Sequence, residues 1–373
     1  MLGVLEDLVM AETPSSDLDL LRAGAGLASR FVHRVLGEVP EVVECEGRPH
    51  LRLSGGAPNP VLILCHLDTV WPAGTTRRWP FSVSDGRATG PGVFDMKAGL
   101  VQGLYALSSV SCPTEITLLI TTDEEIGSPT SRPLIEHEAR NARAVLVLEP
   151  SANGAFKTAR KGISMYELTV EGRAAHPGLD PEHGVNAIVE LARQVPRVVD
   201  LAHEQAGTTV VPTTVAAGTT RNTIPARATM AIDVRAWTAA EQRRVHEALL
   251  AVRPDNPLAS ISLSGGINRP PLEEARSQAL AELADECIAE LHVRPAGRAR
   301  VGGGSDGNFT AALGVPTLDG MGAVGGHAHA EGEYVDVTYL AERAALVRAV
   351  VEKIQGNHPK DVAELRPTRE AVT

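Results

Sequence analysis

The sequence predicts an α/β protein in two parts: a three-layer domain built on a mainly parallel mixed sheet, interrupted by a smaller α+β domain. Three observations carry this. A continuous apolar run at 61–65 and largely apolar stretches at 115–122 and 144–148 suit strands covered on both faces, where alternation is lost. Helical periodicity separates those runs, as in layered α/β domains. From about Gly162 the texture changes to β-α-β-β-α-β with alternating strands, the order of a ferredoxin-like sandwich. At 373 residues the chain also exceeds one typical core.

Taken in order, residues 17–37 space their apolar side chains three and four apart between Asp17 and Gly37, which predicts an amphipathic helix. Short strands follow at 41–45 and 50–53. The buried strand 61–65 runs into His66-Leu67-Asp68-Thr69-Val70. A Gly/Pro-rich loop precedes a helix at 96–110, then come the strand 115–122, a helix near 132–138 and the strand 144–148. The smaller domain is expected over 162–267, with strands at 164–171, 213–220, 226–235 and 259–264 and helices at 185–201 and 239–252. The chain then returns to the larger domain (1–161 and 268–356) with helices at 273–291, 309–313 and 338–354 and a short strand at 316–319. Residues 357–373 are polar and aperiodic, the pattern of a mobile tail.

Composition removes several classes of function. A net charge of −11 argues against nucleic acid as a partner. Aromatics at 3% leave little for stacking on bases or sugars. No apolar run approaches the ~20 residues that cross a bilayer. The N-terminal stretch lacks a basic region and does not read as a secretory signal, so the cytoplasm is the expected location. The four cysteines, Cys45, Cys65, Cys112 and Cys287, have no CxxC spacing, which points away from a disulfide framework or a zinc knuckle.

Chemistry concentrates in Leu119–Gly127, where an apolar run ends in Asp123, Glu124 and Glu125. Such a triplet can be a plain solvated turn. Its position decides otherwise, because three apolar strands finish on metal-capable side chains: His66, the Glu124-Glu125 pair and Glu149. Ligands of open α/β sheets sit at those strand ends. Imidazole and carboxylate together suit zinc, cobalt or manganese. His66, Asp95, Glu124, Glu125, Glu149 and a late histidine in GGHAHAEGEY could hold two ions if one carboxylate bridges them. One carboxylate must then stay clear of the ions to move a proton, and the Glu124-Glu125 pair offers one residue for each task.

These stretches also resemble a known family. The segments HLDTV (66–70), GPGVFDMK (90–97), TDEEIG (122–127) and LEP (148–150) are similar, in order, to the motifs of co-catalytic di-zinc peptidases and deacylases. That family includes glutamate carboxypeptidase, aminoacylase, acetylornithine deacetylase and succinyl-diaminopimelate desuccinylase. The similarity runs from about residue 5 to residue 355. It implies that His66 and Glu149 bind one Zn2+, that Glu125 and His329 bind the other, and that Asp95 bridges them, with Co2+ or Mn2+ as substitutes. It implies Glu124 as general base, Asp68 as the acid orienting His66, and a cis peptide between Asp95 and Met96. His329 is preferred to His327 because the family's last ligand lies four residues before a glutamate, here Glu333. Cys65 is a departure, since glycine is usual there, and reads as a small buried residue.

The resemblance further implies that the inserted domain is a lid through which two copies form a homodimer. His176 would reach the partner's active site and stabilise an oxyanion. Asn222 and Arg235 would bind the substrate's carboxylate, and Gly303 and Gly304 would form a backbone-donor loop beside it. The expected activity is hydrolysis of an amide bond next to a free carboxylate, closest in pattern to glutamate carboxypeptidase. An N-acyl-amino-acid deacylase is the alternative, the substrate in either case being a small peptide or N-acyl amino acid. A carbamoyl-bond amidohydrolase fits less well, because such members often carry histidine where this chain has Glu149. A non-catalytic member of the family would be betrayed by a missing ligand, and none is missing here.

Overall fold

A computed structural model describes residues 1–356; the tail expected over 357–373 lies outside the described residues. The chain divides into two compact units. One comprises Met1–Ala159, Glu273–Val301 and the stretch from Ser305 onward, the other Arg160–Leu272 with Gly302–Gly304.

The larger unit is built on a six-stranded sheet. Val61–His66 lies between Ile116–Thr121 and Ala144–Val147 and runs parallel to both. Thr317–Leu318 adds a further parallel strand at one edge, while Arg48–Ser54 and Glu41–Cys45 add antiparallel strands at the other. The pleat explains why the core strands are apolar throughout. Val61, Ile63 and Cys65 face one cluster with Phe31, Leu104 and Val347, whereas Leu62 and Leu64 face another with Ile135, Ala139 and Phe309. Helices thus cover both sides, and the three layers follow.

The expected helix at 17–37 is Leu18–Leu36. Asp17 Oδ1 accepts the N–H groups of Asp19 and Leu20 at 3.1 and 3.0 Å, and Gly37 closes it at φ 82°. A cap of this kind contributes about 1 kcal/mol. The helix expected from Met96 begins at Ala98, because Val93–Lys97 form a widened turn in which Asp95 and Met96 leave helical geometry. The Asp95–Met96 peptide is cis. Gly92 permits the entry to this turn: its φ is 72°, and a Cβ there would lie 2.4 Å from Thr69 Cγ2. Among the elements not anticipated are the helix Leu2–Met10, the paired strands Phe156–Arg160 and Arg298–Val301, and a small sheet of Ser82–Ser84, Arg87–Thr89, Gly325–Gly326 and Tyr334–Asp336. The helix is nearly all apolar and carries little of the polar face that marks periodicity; the strands are too short to show alternation.

In the smaller unit four antiparallel strands lie in the order Thr209–Ala217, Arg227–Ala236, Gly162–Glu171, Ser260–Arg269. Helices Ala187–Val199 and Ala239–Leu250 pack Leu191, Val198, Val245 and Leu249 against Tyr166, Leu168, Met230 and Ile232. The first helix starts two residues later than the apolar pattern suggests, because Asn186 caps it through Ile188 and Val189. Thr209–Ala217 is an edge strand with Val211 and Val215 exposed.

Candidate metal centre

The parallel order of the three core strands sets the site. Their carboxyl ends lie side by side, so His66, the turn after Thr121 and Glu149 are neighbours although far apart in sequence. The helical crossover after the first of these strands delivers Asp95 from the widened turn.

Asp95 faces two imidazoles with different oxygens. Its Oδ1 lies 3.2 Å from His66 Nε2 and its Oδ2 3.3 Å from His329 Nε2. Around that centre, Glu149 Oε1 is 3.4 Å from His66 Nε2, and Glu125 Oε2 is 3.2 Å from His329 Nε2. Ligand atoms of His66, Asp95 and Glu125 all lie within 4.8 Å of one another, as do those of His66, Glu124 and Glu149. His327, two residues away, instead sets its ring edge-on to Tyr334 at 5.7 Å.

The electrostatics call for a cation. As protein groups alone, the histidines must carry the compensating charge. Hydrogen bonds with Asp95 and then Glu125 push His329 up to about 10. Burial works against protonation of His66, yet hydrogen bonds with Asp68, Asp95 and Glu149 carry it well above its ordinary value. Burial pushes Glu125 up to about 7. Burial would raise Asp95 as well, but hydrogen bonds from His329 and His66 outweigh it and hold the carboxyl well below the usual range. Glu125 Oε1 is buried with no hydrogen-bond partner, an arrangement that ordinarily costs on the order of 1–3 kcal/mol. Convergent imidazoles and carboxylates with an orphaned carboxylate oxygen fit a pair of divalent ions. His66 and Glu149 would hold one, Glu125 and His329 the other, and Asp95 both.

Much of the surrounding structure holds these groups in place. Asp68 is fully buried, and its carboxylate accepts from Ser15 Oγ at 2.7 Å and from the backbone N–H groups of Glu124 and Glu125 at 3.2 Å each. Its backbone carbonyl, at 3.0 Å, lies closer to His66 Nδ1 than its carboxylate, at 3.4 Å. Orientation of His66 therefore falls first to the carbonyl, while the carboxylate grips the Glu124-Glu125 turn. Glu333, which entered the sequence reading only as a spacing mark, is fully buried and accepts four N–H groups: Phe94 and Asp95 on one oxygen, Gly92 and Trp71 Nε1 on the other. It ties the Asp95 turn to the segment bearing His329. Asp123 is likewise fully buried. Its Oδ2 accepts from Thr130 N and Oγ1, at 2.7 Å each, and from Ser131 N at 3.1 Å. The Thr130 hydroxyl in turn meets His50 Nε2 at 3.0 Å. Lys157 Nζ stands 3.8 Å from Glu149 Oε2. No local signal distinguishes Glu333, Asp123 or Lys157 from surface charges in the sequence. Cys65 is buried among apolar neighbours, and burial pushes its thiol up.

The remaining candidates lie in the smaller unit. His176 is exposed, and its Nδ1 accepts the Gly178 N–H at 3.1 Å, which leaves the proton on Nε2. Arg235 pairs with Asp233 through Nε and Nη2 at 2.8 and 2.9 Å, so one edge of its fork is taken and the Nη1 side faces outward from that pair. Asn222 is exposed in a turn. The carbonyls of Gly303 and Gly304 accept from Arg160 Nη1 at 3.1 Å each. A Cβ on Gly304 would come within 2.7 Å of Ile163 Cδ1, so a larger residue there would push that side chain aside.

Residues 62–353 match the model of peptidase family M20/M25/M40. The chain belongs to that family. It is accordingly a metal-dependent hydrolase of peptide or amide bonds. Among family relatives, carboxypeptidase G2 of Pseudomonas sp. (strain RS-16) is 29% identical, covering 94% of this chain and 88% of the relative. Succinyl-diaminopimelate desuccinylase of Herminiimonas arsenicoxydans is 26% identical, covering 88% and 94%. The fold is shared with the Bacillus subtilis YXEP protein, described as a dinuclear metal binding peptidase of family M20. That match has a TM-score of 0.66 at 15% identity, covering 96% of this chain and 98% of the other. Among the described residues no helix is long and apolar enough to cross a membrane.

Proposed function

We propose that the protein is a di-zinc hydrolase that cleaves an amide bond next to a free carboxylate, in the manner of a glutamate carboxypeptidase. The observation that carries this is Asp95, which presents one oxygen to each of two imidazoles, with Glu124 close to the His66–Glu149 side of the same cluster. Mixed nitrogen and oxygen donors favour zinc, with cobalt or manganese able to substitute. When bound, the ions supply Lewis acidity to the scissile carbonyl and acidify the attacking water. Glu124 takes the proton from that water and returns it to the leaving nitrogen. Asp68 fixes the turn from which Glu124 acts. His176, with its proton on Nε2, donates to the developing oxyanion of a partner copy. The homodimer this requires is supported by the apolar side chains on the exposed edge strand Thr209–Ala217, since unpaired edges are ready sites of association. Arg235 and Asn222 receive the substrate's carboxylate, Arg235 through the edge of its fork that Asp233 leaves open. Gly303 and Gly304 line the same subsite.

A second reading is favoured by the desuccinylase relative: an N-acyl-amino-acid deacylase using the same residues. The two readings differ only in what lies on the acyl side. The test is a panel of peptides with free C-termini and N-acyl amino acids, each paired with its C-terminal amide, assayed on the zinc-reconstituted protein. Cleavage of free acids with loss of rate on the amides is expected, and the better series ranks the two readings. Amides cleaved as fast as acids, or no cleavage in either series, would overturn the substrate class.

A further inference from the structure

We propose that Asp306 is a positioning residue for the reaction, a buried clip that holds together the two ends of the turn carrying Glu124 and Glu125. The second core strand ends at Thr121, the turn occupies Thr122–Gly127, and the chain resumes at Ser128. Asp306 Oδ2 accepts from Thr121 Oγ1 at 3.2 Å, and Asp306 Oδ1 accepts from Ser128 Oγ. One carboxylate therefore spans the entry and the exit of the turn. All three residues are buried.

Ser128 supplies the second line of argument. Its φ is +60°, directly after Gly127 at +90°. Glycine adopts such backbone freely, whereas a side chain there is strained. What serine has and glycine lacks is the hydroxyl, and that hydroxyl sits on Asp306. An outlier of this kind is a reason to look for a role.

The clip is itself anchored. Ser305 N donates to Asn308 Oδ1 at 2.9 Å, Ser305 Oγ donates to Asp319 at 2.5 Å, and Gly307 N donates to Ser305 Oγ at 3.1 Å. The turn is thus held at its crest by Asp68, through the N–H groups of Glu124 and Glu125, and at its base by Asp306. Proton transfer by Glu124 depends steeply on where its carboxylate stands, whereas ions held by five side chains tolerate a small displacement of one turn. Release of the clip should therefore slow the chemical step while sparing metal and substrate binding. This inference rests on the reading of Glu124 as the general base.

The test uses the full-length zinc-loaded protein with Ser128→Gly, Thr121→Val, Asp306→Asn and the double variant Ser128→Gly/Asp306→Asn, with Glu124→Gln as reference. Ser128→Gly relieves backbone strain but takes a donor from the buried Asp306 carboxylate, so the two effects oppose each other and it folds with a thermal midpoint within several degrees of wild type. Its kcat falls roughly ten- to a hundredfold with KM within about twofold and full metal content. Thr121→Val shows the same signature at smaller size, and the double variant loses little more than Ser128→Gly alone. A merely structural role would leave kcat in place whatever the thermal midpoint does. If Glu124→Gln is inactive while Ser128→Gly keeps its kcat, or loses rate only by losing metal, the clip is overturned and the base stands. Turnover retained in Glu124→Gln would overturn both.

Discussion

The two units treat their functional residues in opposite ways. In the larger unit the groups that hold the site are embedded: Asp68 and Glu333 are fully buried and fully employed, and His66 lies among three carboxylates, although His329 is half exposed. In the smaller unit His176 and Asn222 stand exposed, and Arg235 is tied to a neighbour on its own strand. Buried charges persist only where partners compensate them, so the larger unit must spend structure on holding its site before any ligand arrives. Residues of the smaller unit carry no such cost and can be placed for a substrate. On this account, changes in the larger unit should act on the ions and the proton transfer, and changes in the smaller unit on contacts with the substrate.

Glu124→Gln should have the largest effect, a loss of turnover of roughly 10²- to 10⁴-fold or more, with metal content by elemental analysis unchanged. His176→Ala should follow at roughly 10²- to 10³-fold in kcat, with the thermal midpoint unaltered because the side chain is exposed. A fully active His176→Ala would break the comparison by removing the smaller unit from catalysis. Arg235→Lys should raise KM about tenfold with a modest change in kcat, since a lysine cannot reproduce the fork. Steady-state kinetics on a free-acid substrate separates the two outcomes.

A pH experiment addresses the larger unit by itself. His329 is raised from 6.5 to about 10, so its contribution to stability is fully present below about 6.5 and is lost as pH rises through 10. Glu125 is raised from 4.5 to about 7, so its ionisation also disfavours the folded state as pH rises through that range. Both act in the same direction. The thermal midpoint of chelator-treated protein should therefore fall between about pH 4.5 and pH 10, first through Glu125 and then through His329, and loading with zinc should flatten the curve. A curve unchanged by zinc would remove the coupling between the ions and these two groups.

Legibility of the site in the sequence followed the same division. The three core strands announced themselves because both faces are buried, and the strand ends then placed His66, Glu124, Glu125 and Glu149 together. Asp95 and His329 came from irregular segments and were assigned only through resemblance; the geometry then brought both into the cluster. Apart from Asp68, the carboxylates that steady the site were invisible. Glu333, Asp123 and Asp306 act through backbone groups and hydroxyls whose proximity depends on tertiary structure. Glu333 and Asp306 show in sequence only as acids like any surface charge, and Asp123 only as one member of the acidic triplet. The helix Leu2–Met10 was missed for the opposite reason, having too little polar face to show a period.

The central claim is a two-ion centre bridged by Asp95, and anomalous X-ray diffraction at the zinc edge on zinc-soaked crystals tests it most directly. Two peaks roughly 3.5–4 Å apart are predicted, one against His66 and Glu149, the other against Glu125 and His329, with Asp95 between them. A single peak, or a second one away from Asp95, would contradict it.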